Sequence, residues 1–285
     1  MKKVGLIPNM QKEEALQLTN ELCEKFKSHG IEVFLTPESK LAFENNGTSA
    51  PSDIMAKNAE LLVVLGGDGT LLKVARDYAG HDIPILGINV GKVGFLTEIE
   101  VGEINGHIKD IIDGKFEVNE RMMLEGRVIR DGKDICKFKA LNDIVINKGP
   151  FSKLIELETK VDGNFLETYP GDGLIVSTST GSTGYSLSAG GPIVNPEVQA
   201  LIITPICPHI LHDRSVIISP HEVININVKT NYSVVVLTVD GQQGFTLQEK
   251  DIVEIKKAAC KTKLVKCKNR SFYNVLNHKL RERKE

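Results

Sequence analysis

The sequence predicts two domains of different class. The first is an α/β domain with a parallel sheet, and the second is all-β. Three observations carry this. Up to about residue 115, short apolar runs alternate with stretches of helical periodicity. From Phe116 to about Lys266 that periodicity disappears. β-rich runs recur instead, punctuated by Asp131-Gly132, Asp162-Gly163 and Asp240-Gly241 in the manner of hairpin turns. A closing amphipathic stretch, roughly Ser271 to Arg281, reads as a helix that returns to the first domain. The expected division is therefore 1–115 joined by 267–285, with 116–266 as the β-rich domain.

Val4 to Asn9 reads as the first strand. Gln11 to His29 carries Ala15, Leu18, Leu22, Cys23 and Phe26 at helical spacing, with Gly30 as the stop. Ile31 to Leu35 is a second strand. Thr36 to Asn58 is polar and holds Pro37, Gly47 and Pro51, which suggests a mobile loop with short helical pieces. Leu61 to Leu65 has the length and β-branched content of a buried strand, and a helix follows to Tyr78. Pro84 to Val90 is another strand and Val101 to Asp113 another helix. In the second domain the β-rich runs are Met122–Arg130, Leu154–Val161, Val223–Val228, Val234–Val239 and Ile252–Lys256, consistent with a sandwich or stacked sheets.

The 285 residues carry a formal net charge of −2, which gives no support to a nucleic-acid or polybasic membrane role. No apolar run approaches the roughly 20 residues of a membrane span. The N-terminus lacks the apolar core of a signal peptide, so a cytoplasmic protein is expected. Five scattered cysteines without a C-x-x-C pair argue against a disulfide framework or a cysteine zinc site.

The most informative stretch is Gly66-Gly67-Asp68-Gly69-Thr70, at the junction of a strand and a helix. Glycines there permit positive φ and close approach of a ligand, and free N–H groups at a helix start attract anions such as phosphate. Asp68 would repel a phosphate unless it orients a hydroxyl, accepts a proton or holds a metal. Gly171 to Tyr185 leads an apolar strand into hydroxyls interleaved with glycine. The run suits a polar ligand, and a Ser/Thr-rich surface loop is the alternative. Asn142-Asp143 interrupts an apolar run, either as a bulge or turn or as an amide and carboxylate offered to a ligand such as a ribose. Neither a P-loop, a G-x-S-x-G elbow, an H-E-x-x-H nor a G-x-G-x-x-G occurs. His209, His212 and Asp213 are a weak metal candidate, read more simply as turn or core residues.

Gly-Gly-Asp-Gly-Thr after a strand, Asn142-Asp143, the Gly171–Gly191 run and Thr204-Pro205-Ile206-Cys207-Pro208-His209 together resemble the NAD kinases, in order and spacing across nearly the whole chain. Gly91-Lys92-Val93-Gly94-Phe95-Leu96-Thr97 resembles that family's loop after the fourth strand. The resemblance implies phosphorylation of the 2′-hydroxyl of the NAD adenosine ribose by ATP or polyphosphate, with a divalent metal, Mg²⁺ by preference, and a homodimer or homotetramer. It implies that Asp68 is the catalytic carboxylate and that Gly67, Gly69 and Thr70 line the phosphates. Asn142 and Asp143 would hold the ribose, and Phe95 would pack near the adenine. Thr180, Ser182, Thr183, Gly184, Tyr185 and Ser188 would line the dinucleotide site, and Asp172 would reach the NAD of a neighbouring subunit. No metal-ligating side chain is assigned.

Gly184 stands where the family usually has Ala, Ser179 where Pro is common, and Ser215 where Pro usually follows Arg214. None of the three removes a functional group. A diacylglycerol-type lipid kinase sharing the first motif, and a non-catalytic NAD(P)-binding sensor, are the competing readings.

Overall fold

The computed structural model describes residues 1–42, 47–91, 94–150, 153–210, 214–230, 234–268 and 271–282. Lys92, Val93, His212 and Asp213 lie outside the described residues. The chain divides into two compact units, Met1–Glu120 with Thr262–Glu285, and Arg121–Lys261. Both divisions fall inside strands, Glu117–Arg130 and Ile252–Lys266.

The first unit is built on a parallel sheet. Its strands run Thr48–Ser49, Glu32–Leu35, Lys3–Pro8, Leu61–Gly66 and Pro84–Asn89 in spatial order. Beyond Pro84–Asn89 the pairing continues, also parallel, with Lys263 and Leu264 and with Ile99–Glu100. All six residues of Leu61–Gly66 are buried, as expected for a central strand covered on both faces. Chain order reverses between Lys3–Pro8 and Leu61–Gly66, because the later strands lie to opposite sides of the first. The carboxyl ends of these two strands therefore form the crevice where open α/β sheets bind ligands.

Helix Glu13–Ser28 buries Ala15, Leu18, Leu22, Cys23 and Phe26, the stripe its spacing predicts. It ends as the sequence suggests. Gly30 adopts φ +74°, and Gly30 and Ile31 donate their N–H groups to the carbonyls of Lys27 and Phe26. The short helical pieces expected over 36–58 are present among the described residues. They are helices Pro37–Ala42 and Ser52–Asn58, and the short edge strand Thr48–Ser49 between them pairs with Glu32–Leu35. The C-terminal helix spans Phe272–Glu282.

The second unit stacks two sheets. One holds Asn164–Gly171, Ile155–Val161, Ile224–Lys229 and the start of Ile252–Lys266, beside the hairpin of Glu117–Arg130 and Lys133–Ala140. The other runs Val216–Ile218, Leu201–Ile206, Gly173–Thr178, Asp143–Lys148, Val235–Val239 and Gln243–Leu247, all antiparallel. Ile155, Leu157, Ile226 and Val253 of the first sheet share one core with Ile144, Ile146, Leu174 and Val176 of the second.

All three Asp-Gly pairs turn with positive φ at both residues, the requirement of tight hairpin connections. One departure from an all-β reading stands beside the second sheet. Gly181–Thr183 and Tyr185–Ser188 form two short helical turns, too brief to leave a periodic signal in sequence.

Candidate functional site

In the first unit, the turn after Leu61–Gly66 leads into helix Asp68–Asp77. The glycines do not use positive φ, contrary to expectation: Gly67 is extended, with φ −104° and ψ −173°. Their contribution is space. A Cβ on Gly66 would sit 2.5 Å from Thr70 Oγ1, whereas a Cβ on Gly67 would meet nothing within 4 Å. The N-cap residue Gly67 makes no side-chain cap hydrogen bond, and a helix start of this kind favours negative charge.

The Asp68 carboxylate is engaged from one side. Its Oδ2 accepts the N–H of Phe95 at 2.8 Å, and its Oδ1 accepts those of Leu96 and Thr97 at 3.1 and 3.3 Å. Gly94 packs directly on it, and a Cβ there would fall 1.9 Å from Oδ1. The 94–97 segment is thus held by the same acid that the turn presents. Phe95 is half-buried.

Sequence reasoning missed Asn9. It follows strand Lys3–Pro8 at the crevice, and its Nδ2 donates to Thr70 Oγ1 at 3.2 Å. Its position at the carboxyl end of the first strand was the available signal. Lys12 donates to the carbonyl of Val90, and buried Asn89 donates to that of Gly91.

In the second unit, Asn142, Asp143 and the 178–185 segment come together. Asp143 opens strand Asp143–Lys148 and is 5% exposed. Burial, with the Asp240 carboxylate nearby, pushes its pKa up to about 7. Asn142 Oδ1 is buried without a hydrogen-bond partner, an acceptor whose isolation is costly unless something donates to it. A Cβ on Gly184 would lie 3.5 Å from Asn142 Nδ2 and 3.7 Å from Asp143 Oδ2, so these three residues are immediate neighbours. Gly181 is tighter still, for its Cβ would fall 2.2 Å from the Asn142 carbonyl oxygen.

The hydroxyl-rich run behaves differently from expectation. Thr178 donates to the Leu141 carbonyl at 2.7 Å and accepts the Gly181 N–H at 3.0 Å. Ser179 donates to the Val198 carbonyl. Ser182 is fully buried; it donates to the Ser179 carbonyl at 2.7 Å and accepts the Val194 N–H at 3.0 Å. Its side chain ties the loop together at this point. Thr183 donates to the Thr180 carbonyl at 3.4 Å, and both threonines are buried. Tyr185 and Ser188 remain exposed. Asp172 forms an ion pair with Lys148 at 2.7 Å.

Asp240 was read only as a turn residue, yet its carboxylate accepts three consecutive N–H groups, from Leu141, Asn142 and Asp143. His209 donates its backbone N–H to the Pro170 carbonyl at 2.8 Å. Among the described residues no three His, Cys, Asp or Glu side chains converge as a metal cage, and no helix is long and apolar enough to cross a membrane.

Comparison with known proteins gives the same assignment over both units. The family model for the ATP-NAD kinase N-terminal domain matches residues 4–116, and that for the ATP-NAD kinase C-terminal domain matches 141–267. An NAD kinase of Natranaerobius thermophilus is 55% identical over 280 residues, covering 98% of each chain. That of Caldanaerobacter subterraneus subsp. tengcongensis is 44% identical, over 99% of this chain and 100% of its own. A yeast NADH kinase crystallised with NADH superposes with a TM-score of 0.87 at 26% identity, over 95% of this chain and 84% of that one. An Archaeoglobus fulgidus NAD kinase in complex with ATP gives 0.77 at 25% identity, over 98% of both chains. The lipid-kinase alternative, which rested on the first motif alone, gives way to agreement along the full chain. The chain belongs to the NAD kinase family.

Proposed function

We propose how this chain's residues divide the phosphorylation of NAD to NADP with ATP. The start of helix Asp68–Asp77, with Gly67, Gly69 and Thr70, receives the donor phosphates. Backbone N–H groups and the helix dipole favour negative charge there. Asp68 orients the 2′-hydroxyl of the adenosine ribose and takes its proton as the bond from that oxygen to the γ-phosphorus forms and the bond to the leaving ADP breaks. Transfer of this kind proceeds through a loose transition state, so positioning supplies most of the catalysis. A divalent cation such as Mg²⁺ would neutralise charge on the donor. The described residues offer it no dedicated cage, so it would arrive on the donor's phosphates.

Asn142 and Asp143 hold the ribose. The observation that carries this is the buried, unpartnered Asn142 Oδ1 beside the Asp143 carboxylate: two acceptors with fixed directions suit two adjacent hydroxyls. Thr180, Thr183, Gly184, Tyr185 and Ser188 line the dinucleotide, Ser182 supports them from within the loop, and Phe95 lies by the adenine. The protein works in the cytoplasm as a homodimer or homotetramer in which Asp172 approaches the NAD of a neighbouring subunit.

The test is enzymatic detection of NADP from NAD, ATP and Mg²⁺ with Asn142→Ala. Loss of a ribose hydrogen bond raises KM for NAD about tenfold and leaves that for ATP unchanged. An unchanged KM for NAD would remove Asn142 from the site.

A further inference from the structure

We infer that Asp240 is a positioning residue for NAD recognition: its carboxylate sets the backbone of Leu141–Asp143 and thereby the direction in which Asn142 and Asp143 face the ribose. The inference rests on the reading that those two residues hold NAD.

Asp240 Oδ1 accepts the N–H groups of Asn142 and Asp143 at 2.8 and 3.1 Å, and Oδ2 accepts that of Leu141 at 3.2 Å. The Asp240 N–H returns a bond to the Asp143 carbonyl at 2.9 Å. Three successive N–H groups directed at one carboxylate leave the corner little freedom. From its other side, Thr178 donates its N–H to the Asn142 carbonyl at 2.9 Å, and Gly181 packs against that same carbonyl. The corner is therefore clamped by backbone and carboxylate, while the Asn142 side-chain acceptor is left without a partner.

A turn alone does not demand this acid. Asp131 and Asp162 occupy equivalent positions in the other two Asp-Gly turns and are exposed, whereas Asp240 is 8% exposed. Burying a carboxylate next to a second one is unfavourable unless the arrangement does something further. The charged group facing Asp143 is Asp240. The other groups packed around it, Ser177 from the paired strand, Asn142 and Gly184, carry no charge. Asp240 thus aligns Asp143 and, after burial itself, adds to the rise that makes the Asp143 carboxylate change charge near neutrality. The ionised form, which accepts from two hydroxyls, binds the ribose better.

Asp240→Asn tests this in the full-length enzyme. Asn tolerates positive φ, so the turn is kept, while one N–H contact becomes donor against donor and the charge beside Asp143 is removed. The expected result is a KM for NAD raised about tenfold, a KM for ATP unchanged, and an acid limb of NAD binding moved to lower pH. A merely structural lesion would not shift that limb. An unmoved limb with an unchanged KM for NAD overturns the proposal, as does an equal rise in both KM values. If Asp240→Asn does not fold, Asp240→Glu serves: the charge persists on a longer arm, so KM for NAD rises and the limb stays, and an unchanged KM overturns the proposal. Asp143→Ala separates the two levels. If it leaves KM for NAD unchanged, the ribose assignment fails; if it raises KM while Asp240→Asn does not, only the role of Asp240 fails.

Discussion

Asp68→Asn separates the two tasks the structure gives this residue. The aspartate accepts three N–H groups, one on Oδ2 and two on Oδ1. The amide can keep the pair on its oxygen, but its NH₂ then meets the Phe95 N–H, donor against donor. Losing one charge-assisted bond at a half-buried site costs about 1.5–2 kcal/mol, the lower part of the usual range. For a protein of this size that lowers Tm by about 3–8 °C. Removal of a positioned base should cost about 10²–10⁴ in turnover in addition.

Gly94→Ala supplies the comparison, because its Cβ would press on the carboxylate at 1.9 Å and disturb the 94–97 segment while the acidic group is retained. Steady-state rates at saturating NAD and ATP, with thermal denaturation of the same samples, check both. Asp68→Asn should lose at least tenfold more kcat than Gly94→Ala at a comparable fall in Tm. An Asp68→Asn enzyme within tenfold of the parent would refute a chemical role for the acid.

Three further outcomes follow from the second unit. The raised Asp143 pKa means that its contribution to stability is fully present below the ordinary carboxylate value of 3.8 and is lost as pH rises through about 7. Asp143→Asn, which mimics the protonated form, should therefore leave Tm nearly unchanged below about pH 4 and raise it progressively from there, most at pH 8. A Tm difference that is constant from pH 5 to 8.5 in differential scanning fluorimetry would contradict this. Gly181→Ala forces a methyl to 2.2 Å from a backbone oxygen and should cost about 1–3 kcal/mol, measured by urea denaturation, with a raised KM for NAD. Gly184→Ala, at φ −91° with its nearest contact at 3.2 Å, should change stability by less than about 1 kcal/mol and keep turnover within about threefold by the same assays.

Much of this molecule was legible in its sequence because local signals and burial agree. Leu61–Gly66 is apolar throughout and is buried on both faces, and Asp131-Gly132 and Asp162-Gly163 are the tight turns their residue types demand. In the polar 36–58 stretch the short helical pieces are legible, but the edge strand Thr48–Ser49 is not, because two residues have no period to detect and its pairing comes from Glu32–Leu35. At the site, short motifs marked Asp68, Asn142 and Asp143. The residues that hold them were invisible for a different reason. Asn9 reaches Thr70 across 61 positions and Asp240 reaches the 141–143 corner across 97 to 99, so no local window joins them. The hydroxyl run shows the converse: Thr178, Ser179 and Ser182 look like ligand contacts in sequence, and packing spends them on backbone carbonyls.

Two carboxylates, Asp68 and Asp240, hold six backbone amides that no neighbouring strand holds in the same way. Those amides can exchange with deuterium when a single side chain lets go, without strands parting. Their protection then measures the small free energy of a local opening rather than that of unfolding. They should exchange ahead of the amides of Leu61–Gly66, which paired strands hold, and Asp68→Ala or Asp240→Ala should speed exchange further at Phe95–Thr97 or Leu141–Asp143 respectively. The deuteration pattern of one sample thus becomes a direct view of both carboxylates at work.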